Sequence, residues 1–429
     1  MKPNVLVVKI EKDRCIGCGA CAGTCPVNVL IMKFNDSGLY EPYESPGCLK
    51  KCSICLKVCP FYEKDLLESK ISKDLYNTKN SYKEIGNFTN TYEFFIKDES
   101  SRIESASGGA GYYILSELLN QKKVDKIIAV EPNNNPEMLF KMSVFDNISD
   151  LKKSKKSAYY PVNMEDVLKY IIKNDFSYAI TALPCFAKAI RLAQKTNPKI
   201  RKRLKFVIGL VCGQLKSKKF TQTLADLNFK THKKLKHIDF RYKIKERPSS
   251  NFAFKFTSTD GQMYIDDWLS VSNRKTSPDT FWSSRAFTPL SCNNCNDTFA
   301  LCADVVLMDA WLPKFTKDWR GHSLIISRNQ EIEDILKNID DDLVHCKIYD
   351  YKQVYASQKM VVNAKNKYFN NKLDYITKAR LQLQKNSNKD YDNFFKHLDE
   401  YCKKNSIYRI SILPIRIIKK IIREIKARL

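Results

Sequence analysis

The sequence predicts a multidomain chain of mixed α+β and α/β class: a small cysteine-dense module, a larger α/β body and a helical C-terminal extension. Three observations lead there. The chain has 429 residues, more than one ordinary core accommodates. Eight of its 15 cysteines fall before residue 70. Beyond Tyr92, short β-rich runs alternate with helix-patterned ones, the mark of an α/β body.

The module is assigned residues 1–70, and the polar, lysine-rich stretch from Lys70 to Thr91 reads as a linker. Within it, Cys15-x2-Cys18-x2-Cys21-x3-Cys25-Pro26 is followed by Cys48-x3-Cys52-x2-Cys55-x3-Cys59-Pro60. Closely spaced thiolates wrap a loop around one 4Fe-4S cubane, while the fourth, set back and followed by proline, reaches the other cubane. Crossing assigns Cys15, Cys18, Cys21 and Cys59 to cluster one, and Cys48, Cys52, Cys55 and Cys25 to cluster two. Zinc sites favour two separated pairs of ligands instead. The module is therefore ferredoxin-type, of the bacterial two-cluster kind, and moves single electrons. Cys48 departs from the usual two-residue spacing, so a one-residue bulge must present it. Gly17 and Gly19 allow tight turns around the cubane, and Asn35-Asp36-Ser37-Gly38 makes a hairpin turn.

In the body, Tyr112–Leu119 and Val167–Ile172 read as helices. Val124–Val130 reads as a buried strand, Tyr178–Leu183 as a strand ending at Pro184-Cys185, and Phe206–Val211 as one ending at Cys212-Gly213. Residues 373–404 are charged and helix-prone. From Pro414, Ile418, Ile421, Ile422, Ile425 and Leu429 share one helical face and Arg416, Lys419, Lys420, Arg423 and Lys426 the other. Such a basic amphipathic helix packs on the body or makes peripheral contact with an anionic membrane; the former is the simpler expectation.

The formal charge of +26 invites a nucleic-acid partner, but the lysines are scattered and form no arginine-rich arm with interleaved aromatics. Nucleic acid is not expected. No run of about 18 apolar residues predicts a membrane span. The first fourteen residues lack the apolar segment and cleavage site of an export signal, so a cytoplasmic location with reduced thiols is expected.

Four body landmarks occur in order: Ser105-Ala106-Ser107-Gly108-Gly109, Leu183-Pro184-Cys185, Gly209-Leu210-Val211-Cys212-Gly213, and Ser291-Cys292-Asn293-Asn294-Cys295 followed by Ala303-Asp304 and Asp309-Ala310-Trp311. Downstream of a ferredoxin-type module, they resemble the family formed by the beta subunits of coenzyme F420 hydrogenases and dehydrogenases, over about residues 5–330. The resemblance implies an oxidoreductase that passes electrons between a hydride cofactor, such as a deazaflavin, and a one-electron carrier, such as ferredoxin or a partner redox subunit. It also implies a flavin-binding body, with FAD phosphates at Ser107, Gly108, Gly109 and Gly111, and a third 4Fe-4S cluster on Cys185, Cys212, Cys292 and Cys295. Cys302 stands in reserve for that cluster. The body then divides into residues 92–170 and 171–345, with the extension at 346–429. Met308 replaces the glycine that usually precedes the family's Asp-x-Trp, and Lys216 to Lys219 read as a solvated basic turn. Two alternatives stay open: a ferredoxin-dependent reductase of an organic substrate, and a non-enzymatic iron–sulfur carrier. No catalytic acid or base is identified.

Overall fold

The computed structural model describes residues 4–10, 14–49, 51–62, 67–267, 281–282 and 285–370. The helices expected at 373–404 and beyond Pro414 lie outside these residues. The N-terminal module holds α1 (Ala20–Gly23), the antiparallel hairpin β1 (Leu30–Phe34) and β2 (Tyr40–Glu44), and α2 (Ile54–Lys57). The hairpin closes as expected: Asn35 Oδ1 accepts the N–H groups of Ser37 and Leu39 at 3.0 and 3.1 Å. Gly17 and Gly19 both have positive φ, which favours glycine, and a Cβ on Gly17 would lie 2.5 Å from the Tyr40 carbonyl oxygen.

The segment from Lys70 to Thr91 is not a linker. It holds most of α3 (Glu68–Leu75) and the short hairpin β3 (Asn80–Tyr82) and β4 (Gly86–Phe88), and it buries Ile71, Tyr76, Ile85 and Phe88. Its polar composition hides four anchors, whose burial outweighs the cost of ordering the chain.

Next come β5 (Asn90–Ile96), α4 (Ala110–Asn120), β6 (Lys126–Asn135), β7 (Met138–Phe145), α5 (Glu165–Lys173), β8 (Tyr178–Ala182), α6 (Pro184–Thr196), β9 (Leu204–Leu210) and α7 (Lys218–Phe229). They are followed by β10 (Leu235–Tyr242), β11 (Ala253–Ser258), β12 (Met263–Asp267), β13 (Val305–Asp309), β14 (Ser323–Ser327), β15 (Val344–Ile348) and α8 (Tyr351–Asn370). Eight strands form one sheet in the order β15-β5-β14-β13-β9-β8-β6-β7. Neighbours among β6, β8, β9 and β13 run parallel, and the outer pairs are antiparallel. The parallel strands are buried on both faces. In β8, Tyr178 and Ile180 join one core and Ala179 the other. One sheet runs from β5 to β15, so residues 92–170 and 171–345 contribute strands to the same sheet. A separate sheet, β10-β11-β12, builds an aromatic core with α7 around Phe220, Phe240, Phe254 and Phe256.

The module is packed on the body. Val5, Ile16, Ala20 and Val58 share one core with Met164, Leu168, Cys185 and Phe186. The Met164 N–H donates to the Cys18 carbonyl at 2.8 Å, and the Met32 N–H to Glu165 Oε2 at 2.7 Å. In open α/β sheets, ligands gather beyond the carboxyl ends of the parallel strands. There β8 leads to Cys185, β9 to Cys212 and β13 to Asp309.

Candidate metal centres and an adjoining pocket

Cys15, Cys18, Cys21 and Cys59 line one cavity with Val8, Ile16, Met32 and Phe61. Cys18 lies within electrostatic reach of Cys59 and Cys15, and Cys21 of Cys18, Cys15, Cys59 and also Cys55. Burial pushes the Cys18 and Cys21 thiols up, and Cys59 to about 11. Buried thiols of this kind are inert as acids, but a bound metal cation replaces the proton and favours the thiolate. Backbone N–H groups of Phe61 and Tyr62 are directed at the Cys59 sulfur, the sort of contact that sets cluster potentials.

The second set also comes together. Cys48 is within electrostatic reach of Cys25 and Cys52, and Cys55 of Cys52 and Cys48. The Cys52 N–H donates to the Leu49 carbonyl at 3.0 Å. Cys48 is exposed, so this set reaches the surface.

In the body, Cys185 is reached by Cys295, Cys212 and Cys292, and Cys212 by Cys292 and Cys295. The Leu215 N–H donates to the Cys292 sulfur at 3.4 Å. Next to these thiols in sequence, the buried Ser291 Oγ, Asn293 Oδ1 and Thr298 Oγ1 have no hydrogen-bond partner among the described residues, as befits a lining shaped for an inorganic group. Cys302 is buried, with Asp297, Glu68, Arg191 and Lys188 within electrostatic reach. Among the described residues, no three metal-ligating side chains converge on one ion. A cubane carries one thiolate on each of its four irons, so its ligands stand at corners and share no common point. The three thiol sets fit that group. Cys185 also lies within electrostatic reach of Cys18, which brings the body set beside the first module set.

A pocket opens beyond β13. Ser107, Arg241, Lys243, Trp311, Trp319 and His322 line it. Arg241 is buried and grips Asp309 through two bonds of 2.9 Å, with its guanidinium 4.2 Å from the Phe252 ring. It also donates to the Tyr159 hydroxyl at 3.1 Å, and Tyr159 lies within electrostatic reach of Cys212. Tyr159 thus bonds a pocket residue and lies within electrostatic reach of a body thiol. Lys243 donates to two carbonyls, those of Arg102 at 2.5 Å and Ser107 at 2.7 Å. Burial, then Lys156, Arg241 and Arg102, hold its pKa down to about 6. Burial and Arg102 likewise lower His322 to about 4, so it is neutral at pH 7. At pH 7 the lining carries the Arg241–Asp309 ion pair, a neutral Lys243 and a neutral His322 beside Trp311 and Trp319, an aromatic wall with hydrogen-bond donors suited to a planar polar ring.

The glycine loop serves the pocket differently from the sequence expectation. The Gly108 N–H is taken by Ser323 Oγ at 3.0 Å and the Gly109 N–H by the Ala106 carbonyl at 3.0 Å. A Cβ on Gly108 would lie 2.5 Å from the Phe94 carbonyl oxygen, so this glycine permits close packing on β5. A Cβ on Gly111 would touch only Leu307. Ser107 is the loop residue that faces the pocket. Its φ of 52° is held by Lys243 on its carbonyl and by its hydroxyl on the His322 carbonyl. Met308 is buried in β13 and points into the core, so its replacement of glycine does not narrow the pocket lining. Lys216 is not a solvated turn residue. It is buried, and its Nζ donates to the carbonyls of Phe281 and Ala286 at 3.0 and 2.8 Å.

Comparison with known proteins places the chain in a family. Family models describing the coenzyme F420 hydrogenase/dehydrogenase beta subunit match residues 91–169 with the N-terminal part and 175–350 with the C-terminal part. The chain belongs to the family of coenzyme F420 hydrogenase/dehydrogenase beta subunits. A 4Fe-4S binding domain model matches residues 8–31. Among relatives, a subunit of the F(420)H(2) dehydrogenase of Methanosarcina mazei is 24% identical over 221 residues, covering 49% of this chain and 56% of that protein. The coenzyme F420-dependent sulfite reductase of Methanocaldococcus jannaschii is 25% identical over 219 residues, 47% of this chain and 31% of that protein. The match thus spans about half the length of the first and a third of the second. One chain of the F420-reducing NiFe hydrogenase complex from Methanosarcina barkeri superposes with a TM-score of 0.50 at 16% identity, covering 68% of this chain and 91% of that one. Its likeness is one of fold.

In this member of the family, several residues at the carboxyl end of the sheet escaped sequence reading. Arg241, Lys243 and Tyr159 come from segments without a motif. Lys365 could have been found, because it continues the spacing of Val354, Gln358 and Val362 along one face of α8 and so sits at a core position of a helix. Among the described residues, no helix is long and apolar enough to cross a membrane.

Proposed function

We propose that this chain is an iron–sulfur flavoprotein oxidoreductase that exchanges hydride with a deazaflavin-type cofactor and single electrons with a ferredoxin or a partner redox subunit. The observation that carries the reading is the position of Cys185, within electrostatic reach of the other body thiols and of Cys18. It makes one series: the pocket, Tyr159, the body set, the first module set, then the second set ending at exposed Cys48. A bound FAD supplies the exchange between a two-electron hydride and single electrons, which 4Fe-4S clusters require. Lys243, Arg241 and Ser107 would hold its negative charge, and Trp311 and Trp319 would flank a ring. The thiols of each set would hold one cubane.

Anaerobic purification tests this directly. About twelve irons and one FAD per chain are expected, three cubanes of four irons each. Reduced deazaflavin, NADH, NADPH and reduced ferredoxin are then added in turn; bleaching by reduced deazaflavin supports the proposal. Colourless protein without acid-labile sulfide would end it.

Lys243 adds a pH signature. Its pKa of about 6 leaves the amine neutral at pH 7. An anion bound beside it favours the ammonium, so binding takes up a proton. FAD affinity is therefore expected to fall as pH rises above about 6, by at most tenfold per unit. Titrating apoprotein with FAD at pH 6, 7 and 8 reads the slope, and Lys243→Met should flatten it.

A further inference from the structure

The family match ends at residue 350, and α8 begins at Tyr351, yet this helix is tied to both the pocket and the body thiols. Near its middle, Ser357 Oγ accepts the Trp311 N–H at 2.8 Å and Gln358 Nε2 donates to the Asp309 carbonyl at 2.6 Å. About two turns on, Lys365 is 3% exposed. Its Nζ donates to the Cys212 carbonyl at 3.0 Å and to the Asp297 carbonyl. Within its electrostatic reach lie Cys295, Cys212, Cys292 and the Asp297 carboxylate. Arg285 approaches Cys212 as well.

We propose that Lys365 sets the reduction potential of the body cluster, holding it above the value that four thiolates alone would impose. The inference rests on the reading that Cys185, Cys212, Cys292 and Cys295 hold a 4Fe-4S cluster. Four thiolates leave a cubane net negative, and reduction adds one more electron without making or breaking a bond. A buried cation stabilises the reduced form more than the oxidised one, so the potential rises. Two backbone carbonyls fix the ammonium, which cannot swing into water as a surface lysine would. Lys365 is a positioning residue in this sense: it acts on the cluster through charge and through the Cys212 backbone. A helix beyond the matched family domains thereby makes the body cluster a better electron acceptor from the pocket side.

The test is an EPR-monitored redox titration of the full-length holoprotein, comparing wild type with Lys365→Gln and Lys365→Arg. Glutamine retains a donor for the carbonyls but removes the charge. Its body cluster should titrate at lower potential, arginine should stay near wild type, and the module clusters should not move. An unchanged body-cluster potential in the glutamine variant, with iron content intact, overturns the proposal. Loss of about four irons from both variants also overturns it, because Lys365 would then be a packing residue. Failure of the underlying reading is distinct: wild type itself would hold about eight irons and show no third cluster signal.

Discussion

Cys185→Ala is expected to remove about four of about twelve irons and to disconnect the pocket from the ferredoxin-type module. Cys185 opens α6 directly after β8, with Pro184 in the first helical turn, where the absent proline N–H costs the helix nothing. Its thiol lies within electrostatic reach of Cys212, Cys292, Cys295 and Cys18. Cys302, the nearest substitute in sequence, has carboxylates and cations for neighbours. In the variant, reduced deazaflavin should still bleach the flavin absorbance, whereas the EPR signals of the module clusters should not develop. Reduced ferredoxin, entering at the Cys48 end, should still reduce the module. Stopped-flow absorbance with freeze-quench EPR separates the two. Module clusters that fill from the pocket at the wild-type rate, with only about eight irons present, would show that electrons bypass the body set.

The parts of this molecule that a reader of the sequence can reach are those whose chemistry is local. The module ligands recur within eleven or twelve residues, and the spacing alone pairs Cys59 with the first set and Cys25 with the second; in the fold Cys59 lies within electrostatic reach of Cys18, and Cys25 of Cys48. The strands ending at Cys185 and Cys212 are legible because buried parallel strands are short apolar runs. The pocket is not legible, because its residues meet only through long-range pairing. Arg241 comes from β10, which is irregular between Asp239 and Tyr242, so that Phe240 and Arg241 are both buried and the two-residue alternation fails where it matters. Charge runs misled for a related reason. Lys216 resembles its neighbours in sequence, but carbonyls from a segment some seventy residues away enclose it. Asp309, one residue of a sequence landmark, anchors a buried arginine that no motif announces.

Asp304 shows how a family landmark can serve structure, and its removal should give the largest loss of stability. Its Oδ2 accepts the Arg191 guanidinium at 2.8 Å and the Val207 N–H at 2.7 Å, and its Oδ1 the Tyr76 hydroxyl at 3.3 Å. Arg191 also donates to the Tyr76 hydroxyl at 2.9 Å and the Cys302 carbonyl at 2.9 Å. All three side chains are buried, and they join the segment after α3 to α6 and to the centre of the sheet. Asp304→Ala leaves a guanidinium buried without its counter-charge and a strand N–H without an acceptor, at a cost of about 3–5 kcal/mol. The urea midpoint of the full chain should fall accordingly. Adding Arg191→Met to the same chain removes the stranded charge and should restore a large part of the loss, since an apolar replacement of a buried ion pair is often close to neutral. If the double variant is as unstable as the sum of the two single ones, the two residues act through independent contacts and are not coupled. Because α6 carries both Arg191 and Cys185, the single variant should also loosen the body thiols, and iron retention during urea titration would fall before the module clusters are lost.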